Sequence, residues 1–207
     1  MTPHNELALV IGIDASGKST FMHGLESNLG YTVLEPTASA EAKAFKSEHL
    51  GKPLTDELVL ERQSLFTRLN TQFDAHITAQ QEHSNVATSG SRLVTNISHA
   101  VMRSIIGDRP VPVAAIVSDW NESQTVRPDS VVFMHAPMDT IKARILERQE
   151  RGVSGEQLLG FNSLHFLTRY QDALMQTYDA LDSDLTTLEF DSSRTSIDTA
   201  IQTFINT

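Results

Sequence analysis

The sequence predicts an α/β protein: one domain, layered α/β/α, around a largely parallel sheet. Three observations carry this. Short apolar runs alternate with longer stretches of helical periodicity, which is the pattern of successive βαβ units. A chain of 207 residues suits one domain with a sizeable core. No internal repeat, low-complexity tract or linker rich in Gly, Ser or Pro divides it. Right-handed crossovers then put helices on both faces of the sheet, and ligands of such sheets bind at the carboxyl ends of the strands.

The elements read in order as follows. Glu6 to Ile11 is a buried strand, followed directly by a glycine-bearing loop. Phe21 to Leu29 is a helix that stops at Gly30. Tyr31 to Leu34 is a second strand. Ala38 to His49 is helical and ends near Gly51 and Pro53. A long helix runs from Leu54 to about Glu82, where Leu58, Leu65, Leu69 and Phe73 form an apolar stripe. Asn85 to Ser89 is a weak third strand. Val94 to Ile106 and Val113 to Asn121 are helices. Ser130 to His135 is a clear fourth strand, and Asp139 to Gln149 a clear helix. Glu156 to Leu181 is helical, Leu185 to Phe190 is the fifth strand, and Ser196 to Ile205 the closing helix.

Composition narrows the function. Hydrophobic residues make up 40% and charged residues 20% of the chain, which is ordinary for a globular protein. No apolar run approaches the length that crosses a bilayer, and the first residues, Met-Thr-Pro-His-Asn-Glu, lack the pattern of a signal peptide. With no cysteines, disulfides and thiolate metal sites are excluded, and a cytoplasmic location is expected. The formal net charge of −10 argues against holding DNA by a general field, which needs clustered Lys and Arg. It fits an enzyme that grips one small phosphorylated ligand with a few placed cations.

Gly12, Gly17, Lys18 and Ser19 meet the pattern Gly-x-x-x-x-Gly-Lys-[Ser/Thr]. The glycines let backbone N–H groups turn inward around phosphate oxygens, and the following helix points its positive end at the same anion. Lys18 is expected to reach the β and γ phosphates of ATP, and Ser19 to ligate Mg²⁺. Chance produces this pattern in a chain of such length in roughly one case in a hundred. An Asn-Lys-x-Asp base-reading motif is absent, which argues against a GTPase and leaves a small kinase as the leading class.

Beyond the loop, further residues resemble the thymidylate kinase family, within the P-loop nucleoside and nucleotide kinases. The stretch Gly12–Thr20, with Asp14, Ala15, Ser16 and Thr20 inside it, looks like that family's loop. Glu35-Pro36 looks like its Glu-Pro element. Ser91-Arg92-Leu93 falls where the family carries Asp-Arg-Tyr or Asp-Arg-His. Arg127-Pro128-Asp129, the strand after it and a helix bearing Arg144 and Arg148 are similar to its Lys-Pro-Asp strand and arginine-bearing helix, and Tyr170 falls near a family Tyr. The resemblance implies a P-loop kinase fold with a five-stranded parallel sheet, ATP and Mg²⁺, often a homodimer, and a lid at about 144–160. It implies γ-phosphate transfer to a deoxynucleoside monophosphate, most readily a pyrimidine such as dTMP.

It also implies site roles. In members whose loop lacks an arginine the lid supplies the catalytic arginines, and Ala15 fills that slot here, so Arg144, Arg148 and Arg151 are the lid candidates. Arg92 is the candidate for gripping phosphate near the reaction centre. Glu35 and Pro36 lie on the acceptor side. Arg62 and Arg68 lie on the long helix where the family places an acceptor-contacting Arg, and Phe66 either stacks on a base or packs in the core. His135 reads as a satisfied buried histidine, and the scattered histidines as no structural metal site.

Two departures open the acceptor. Leu34 stands where the family has Arg, and Ser91 where it has Asp. Three alternatives follow: a deoxynucleoside kinase with Glu35 as general base on the 5′ hydroxyl, a phage-type kinase acting on hydroxymethylated pyrimidine in a nucleotide or in DNA, and a nucleotide-binding protein with a decayed active site.

Overall fold

In the computed structural model residues 5–35, 40–49, 52–123, 126–151, 164–181 and 183–207 are described. Strand β1 (Leu7–Ile11) is buried along its whole length, as expected of an apolar run covered on both faces. It is followed by α1 (Lys18–Leu29), β2 (Thr32–Leu34), α2 (Ala40–Glu48), α3 (Asp56–Gln81), β3 (Val86–Thr88) and α4 (Arg92–Gly107). Then come α5 (Val113–Ser123), β4 (Ser130–His135), α6 (Met138–Glu150), α7 (Leu164–Asp179), β5 (Thr186–Asp191) and α8 (Ile197–Ile205). The five strands form one sheet in the order β2-β3-β1-β4-β5, and every pairing is parallel.

The period of two along the strands sorts their side chains into two layers. Leu9, Ile11, Val131 and Phe133 join the core under α3, α4, α5, α6 and α7. Ala8, Val10, Val132 and Met134 join the other core, with Phe21, Met22 and Leu25 of α1 and Ala200 and Ile201 of α8. The chain leaves central β1 for β2 and β3 on one side, then crosses to β4 and β5 on the other. This leaves the crevice above the end of β1, where the glycine loop sits. No helix among the described residues is long and apolar enough to cross a membrane.

Each predicted strand and helix core is found, with shifts at the ends. Helix α1 begins at Lys18 rather than Phe21, inside the loop motif. The predicted helix from Glu156 is described only from Leu164; residues 152–163, and with them most of the expected lid, lie outside the described residues. The stripe on α3 is corrected. Its buried residues are Leu58, Val59, Asn70 and Ile77, while Leu65 and Leu69 are only half-buried. The inward face carries Arg62 and Asn70, so a rule that follows apolar residues alone picks a line displaced around the helix.

Candidate functional site

The loop between β1 and α1 has the backbone that phosphate binding requires. Gly12 lies at φ 152° and Gly17 at φ 100°. A Cβ on Gly12 would come within 2.2 Å of the Met134 carbonyl oxygen and 2.6 Å of Ser16 Oγ, so no larger residue fits between the loop and β4. Ala15 also takes a left-handed conformation, at φ 63°. That costs a non-glycine residue about 1 kcal/mol, and such strain gathers at functional loops. Ser16 is fully buried, and its Oγ has no hydrogen-bond partner among the described residues. Lys18 Nζ donates to the Ile13 carbonyl at 2.7 Å. The positive-φ glycines, the orphaned Ser16 hydroxyl and the opening turn of α1, bearing Lys18, Ser19 and Thr20, fit a polyphosphate. Ser19 and Thr20 are exposed at the mouth.

Arg144 of α6 pins the loop from outside. Its Nη1 donates to the Ala15 carbonyl at 3.0 Å and to Ser192 Oγ at 2.8 Å, and its Nη2 donates to the Ser192 carbonyl at 2.8 Å. Arg144 thus braces the strained residue of the loop against the end of β5. Arg148 lies half-buried one turn further along α6. Arg151 ends that helix, exposed, and pairs with Glu147.

The expected acceptor residues are brought together only in part. Glu35, just past β2, has its Oε1 3.5 Å from Ser19 Oγ, so a carboxylate stands beside the hydroxyl expected to hold the metal. Asp14 is exposed at the tip of the loop. Arg62 packs over the Phe66 ring at 4.6 Å, and its Nη1 is sealed from solvent without a hydrogen-bond partner among the described residues. Burial lowers its pKa to about 10, so it stays charged at neutral pH. Phe66 in turn meets His99 edge-on at 6.4 Å. Tyr170 of α7 donates to the Val94 carbonyl at 3.2 Å. Burial pushes its pKa far up, Arg62 opposes the shift, and Asp14 adds to it. Arg62 and Asp14 therefore lie within electrostatic reach of one tyrosine, which links α3 to the phosphate loop.

The remaining expected residues have the following partners within the chain. Arg92 turns to α3, with Nε 3.0 Å from Asp74 Oδ2 and Nη2 donating to Thr71 Oγ1 at 3.2 Å. Arg68 is exposed and pairs with Glu41 of α2 at 2.7 Å. Ser91 accepts a hydrogen bond from Val94 N at 3.2 Å; it is the N-cap of α4, a role open equally to the Asp it was compared with. Pro36 lies outside the described residues. His135 lies within 3.0 Å of Glu189 and stacks on Phe133, as a satisfied histidine. Asp74, Ser192 and His99 went unforeseen, because nothing local marks a residue whose partner is distant in sequence.

No family model matches the chain, and no curated protein does. Solved structures do. A deoxyadenosine kinase from M. mycoides, solved with dCMP and dCDP, is similar at a TM-score of 0.69 and 16% identity, over 97% of this chain and 97% of that one. The same kinase with bound dATP has the same score and coverage. The thymidylate kinase of Candida albicans is similar at a TM-score of 0.69 and 13% identity, over 98% of this chain and 90% of its own. The fold is that of the P-loop nucleoside and nucleotide kinases, across nearly the whole chain.

Proposed function

We propose that this chain is an ATP- and Mg²⁺-dependent kinase that phosphorylates a deoxynucleoside monophosphate, a pyrimidine such as dTMP. The formed phosphate loop carries the reading: Gly12 and Gly17 at positive φ and Lys18 at the head of α1 make a donor cradle. Lys18 supplies charge to the transferring phosphate, and Arg144 holds the Ala15 carbonyl so that the loop keeps its shape. Ser19 would hold Mg²⁺, with Glu35 and Asp14 as neighbouring carboxylates, and the ion when bound neutralises charge that builds on the phosphate oxygens.

The monophosphate comes first because of Arg62. Its Nη1 is sealed from solvent without a hydrogen-bond partner among the described residues, a costly state for a charged donor, and an anionic acceptor would supply the partner. A second reading, the deoxynucleoside kinase, is favoured by a separate observation. Glu35 stands beside Ser19, where a hydroxyl acceptor needs a base, and Arg92 is engaged by Asp74. The likeness to a deoxyadenosine kinase supports the same alternative. The net charge of −10 disfavours the hydroxymethyl-pyrimidine kinase that acts on DNA. A cytoplasmic location and a homodimer go with either reading.

A transfer assay with γ-labelled ATP across dTMP, the other deoxynucleoside monophosphates, thymidine, hydroxymethyl-dUMP and DNA decides. Label on dTMP is expected. Label on thymidine without dTMP replaces the first reading with the second. ATP binding without transfer to any acceptor sinks both and leaves the decayed-site alternative.

A further inference from the structure

A groove of about 540 Å³ runs along α4, between the start of α3 and the start of α5. No residue of the phosphate loop lines it, nor does Glu35 or Arg144. Its size falls within the range of pockets that hold small ligands.

His99 stands in the wall of this groove. It is 2% exposed, and neither ring nitrogen has a hydrogen-bond partner among the described residues. An unsatisfied buried polar group costs about 1–3 kcal/mol, and a site that needed only packing would be better served by Leu or Phe. Burial first, then the charges of Arg62 and Arg103, hold the His99 pKa down to about 3. The ring is therefore neutral and offers one N–H donor and one acceptor nitrogen. The Asn96 carboxamide also lines the groove and offers the same pair of functions, and Gln63 adds the amide NH2 of a carboxamide whose oxygen Arg103 engages. Arg103 and Arg109 bring two exposed guanidinium groups to it. Arg103 is already held in place, donating to Gln63 Oε1 at 2.6 Å. Asp56 is the one carboxylate in the lining.

Neutral donor–acceptor groups beside two cations form a pattern with a definite complement: a polar ring joined to an anionic group. We propose that this groove is a second ligand site, for a ring-bearing phosphate of the size of a nucleoside monophosphate. The ring edge meets His99, Gln63 and Asn96, and the phosphate meets Arg103 and Arg109. Asp56 suits a ring amine or a sugar hydroxyl. The site has an inner neighbour, since His99 touches the edge of Phe66, which carries Arg62.

The test reads binding without turnover, so its outcome is separate from that of the kinase reading. The full ¹⁵N-labelled chain is titrated with each of the four deoxynucleoside 5′-monophosphates and, separately, with inorganic phosphate. One nucleotide is expected to shift the Gln63 and Asn96 side-chain amides and the His99 ring nitrogens to saturation. Arg103→Gln with Arg109→Gln, both at exposed positions, is expected to weaken that binding about tenfold or more. Glu35→Gln is expected to leave it unchanged. His99→Leu, which fills the wall with an apolar group, is expected to reduce nucleotide affinity to that of inorganic phosphate. The proposal is overturned if no nucleotide shifts these signals, if the double variant binds like the parent, or if inorganic phosphate binds the parent as tightly as the nucleotides do.

Discussion

The two sides of the cleft are built in different ways. The donor side is one short loop, and main-chain geometry does most of its work: Gly12 and Gly17 at positive φ, Ala15 held left-handed, and the turn that opens α1. The expected acceptor side is assembled from side chains on separate elements, Glu35 just past β2, Arg62 and Phe66 of α3 and Tyr170 of α7, and Arg62 Nη1 meets no hydrogen-bond partner among the described residues. A phosphate chain is the same in every nucleoside triphosphate, so a backbone can read it. An acceptor varies in base and charge, and its reading falls to side chains that substitution can exchange.

The largest expected effect lies on the donor side. Lys18→Ala should lower turnover by orders of magnitude while circular dichroism and the melting temperature stay near the parent values, because Lys18 supplies charge rather than packing. Near-normal turnover would refute its role. On the acceptor side, Glu35→Gln separates the two acceptors. If a hydroxyl is the acceptor, turnover should fall about a hundredfold or more, as for loss of a general base. With a monophosphate acceptor the loss should be far smaller. A variant as active as the parent on a deoxynucleoside would remove Glu35 as the base.

The wall of the groove along α4 has a pH signature of its own. His99 has a folded pKa of about 3 against an ordinary 6.5. Between those values the unfolded chain binds the proton and the folded chain does not, so stability falls as pH drops through this window and is fully present above it. Urea unfolding at pH 7, 5 and 4 should show this loss, and His99→Leu should flatten it. The groups that face His99 are Arg62 and Phe66 of α3 and Arg103 of its own helix. An unchanged slope in the variant would place the acid sensitivity elsewhere.

Smaller effects sharpen the contrast further. Arg62→Met removes a cation whose Nη1 is sealed from solvent without a hydrogen-bond partner among the described residues, so stability should hold or rise by about 1 kcal/mol. The acceptor KM should rise in the same variant. A variant that loses stability instead would mark Arg62 as a structural residue. Ser91→Ala should cost about 1 kcal/mol through loss of the α4 N-cap, and Ser91→Asp should restore it. Equal stability of all three forms would remove the capping role.

The sequence displays the shape of the glycine loop almost completely, because the loop is contiguous. A fixed spacing of Gly, Gly, Lys and Ser specifies a shape that needs no distant partner. The strand order was less accessible, but the alternation of strands and helices already required a parallel sheet. On the acceptor side, sequence reading named Arg62, Arg92 and Glu35 and missed what holds them. Asp74 turns Arg92 toward α3, and that pairing joins residues on separate elements. The α3 stripe was misplaced for a related reason: its inward face carries the buried Asn70 and the half-buried Arg62, so hydrophobicity alone points beside it. Ser91 reads in the sequence as a departure from the family's Asp, and what the residue does locally, its hydroxyl accepting from Val94 N one helical turn on, is not written in that comparison.

The bridge from Arg144 to Ala15 and Ser192 has a consequence for how the protein is made. Strand β1 and its loop leave the ribosome early, but β3 and β4, the neighbours of β1, follow much later. The guanidinium that braces Ala15 comes 129 residues behind it, and the serine that braces the guanidinium a further 48. A nascent chain thus carries the phosphate loop as a string of residues long before it carries the clamp that shapes it. The braced shape of the loop is therefore a late acquisition, made only once the distant end of the sheet has docked.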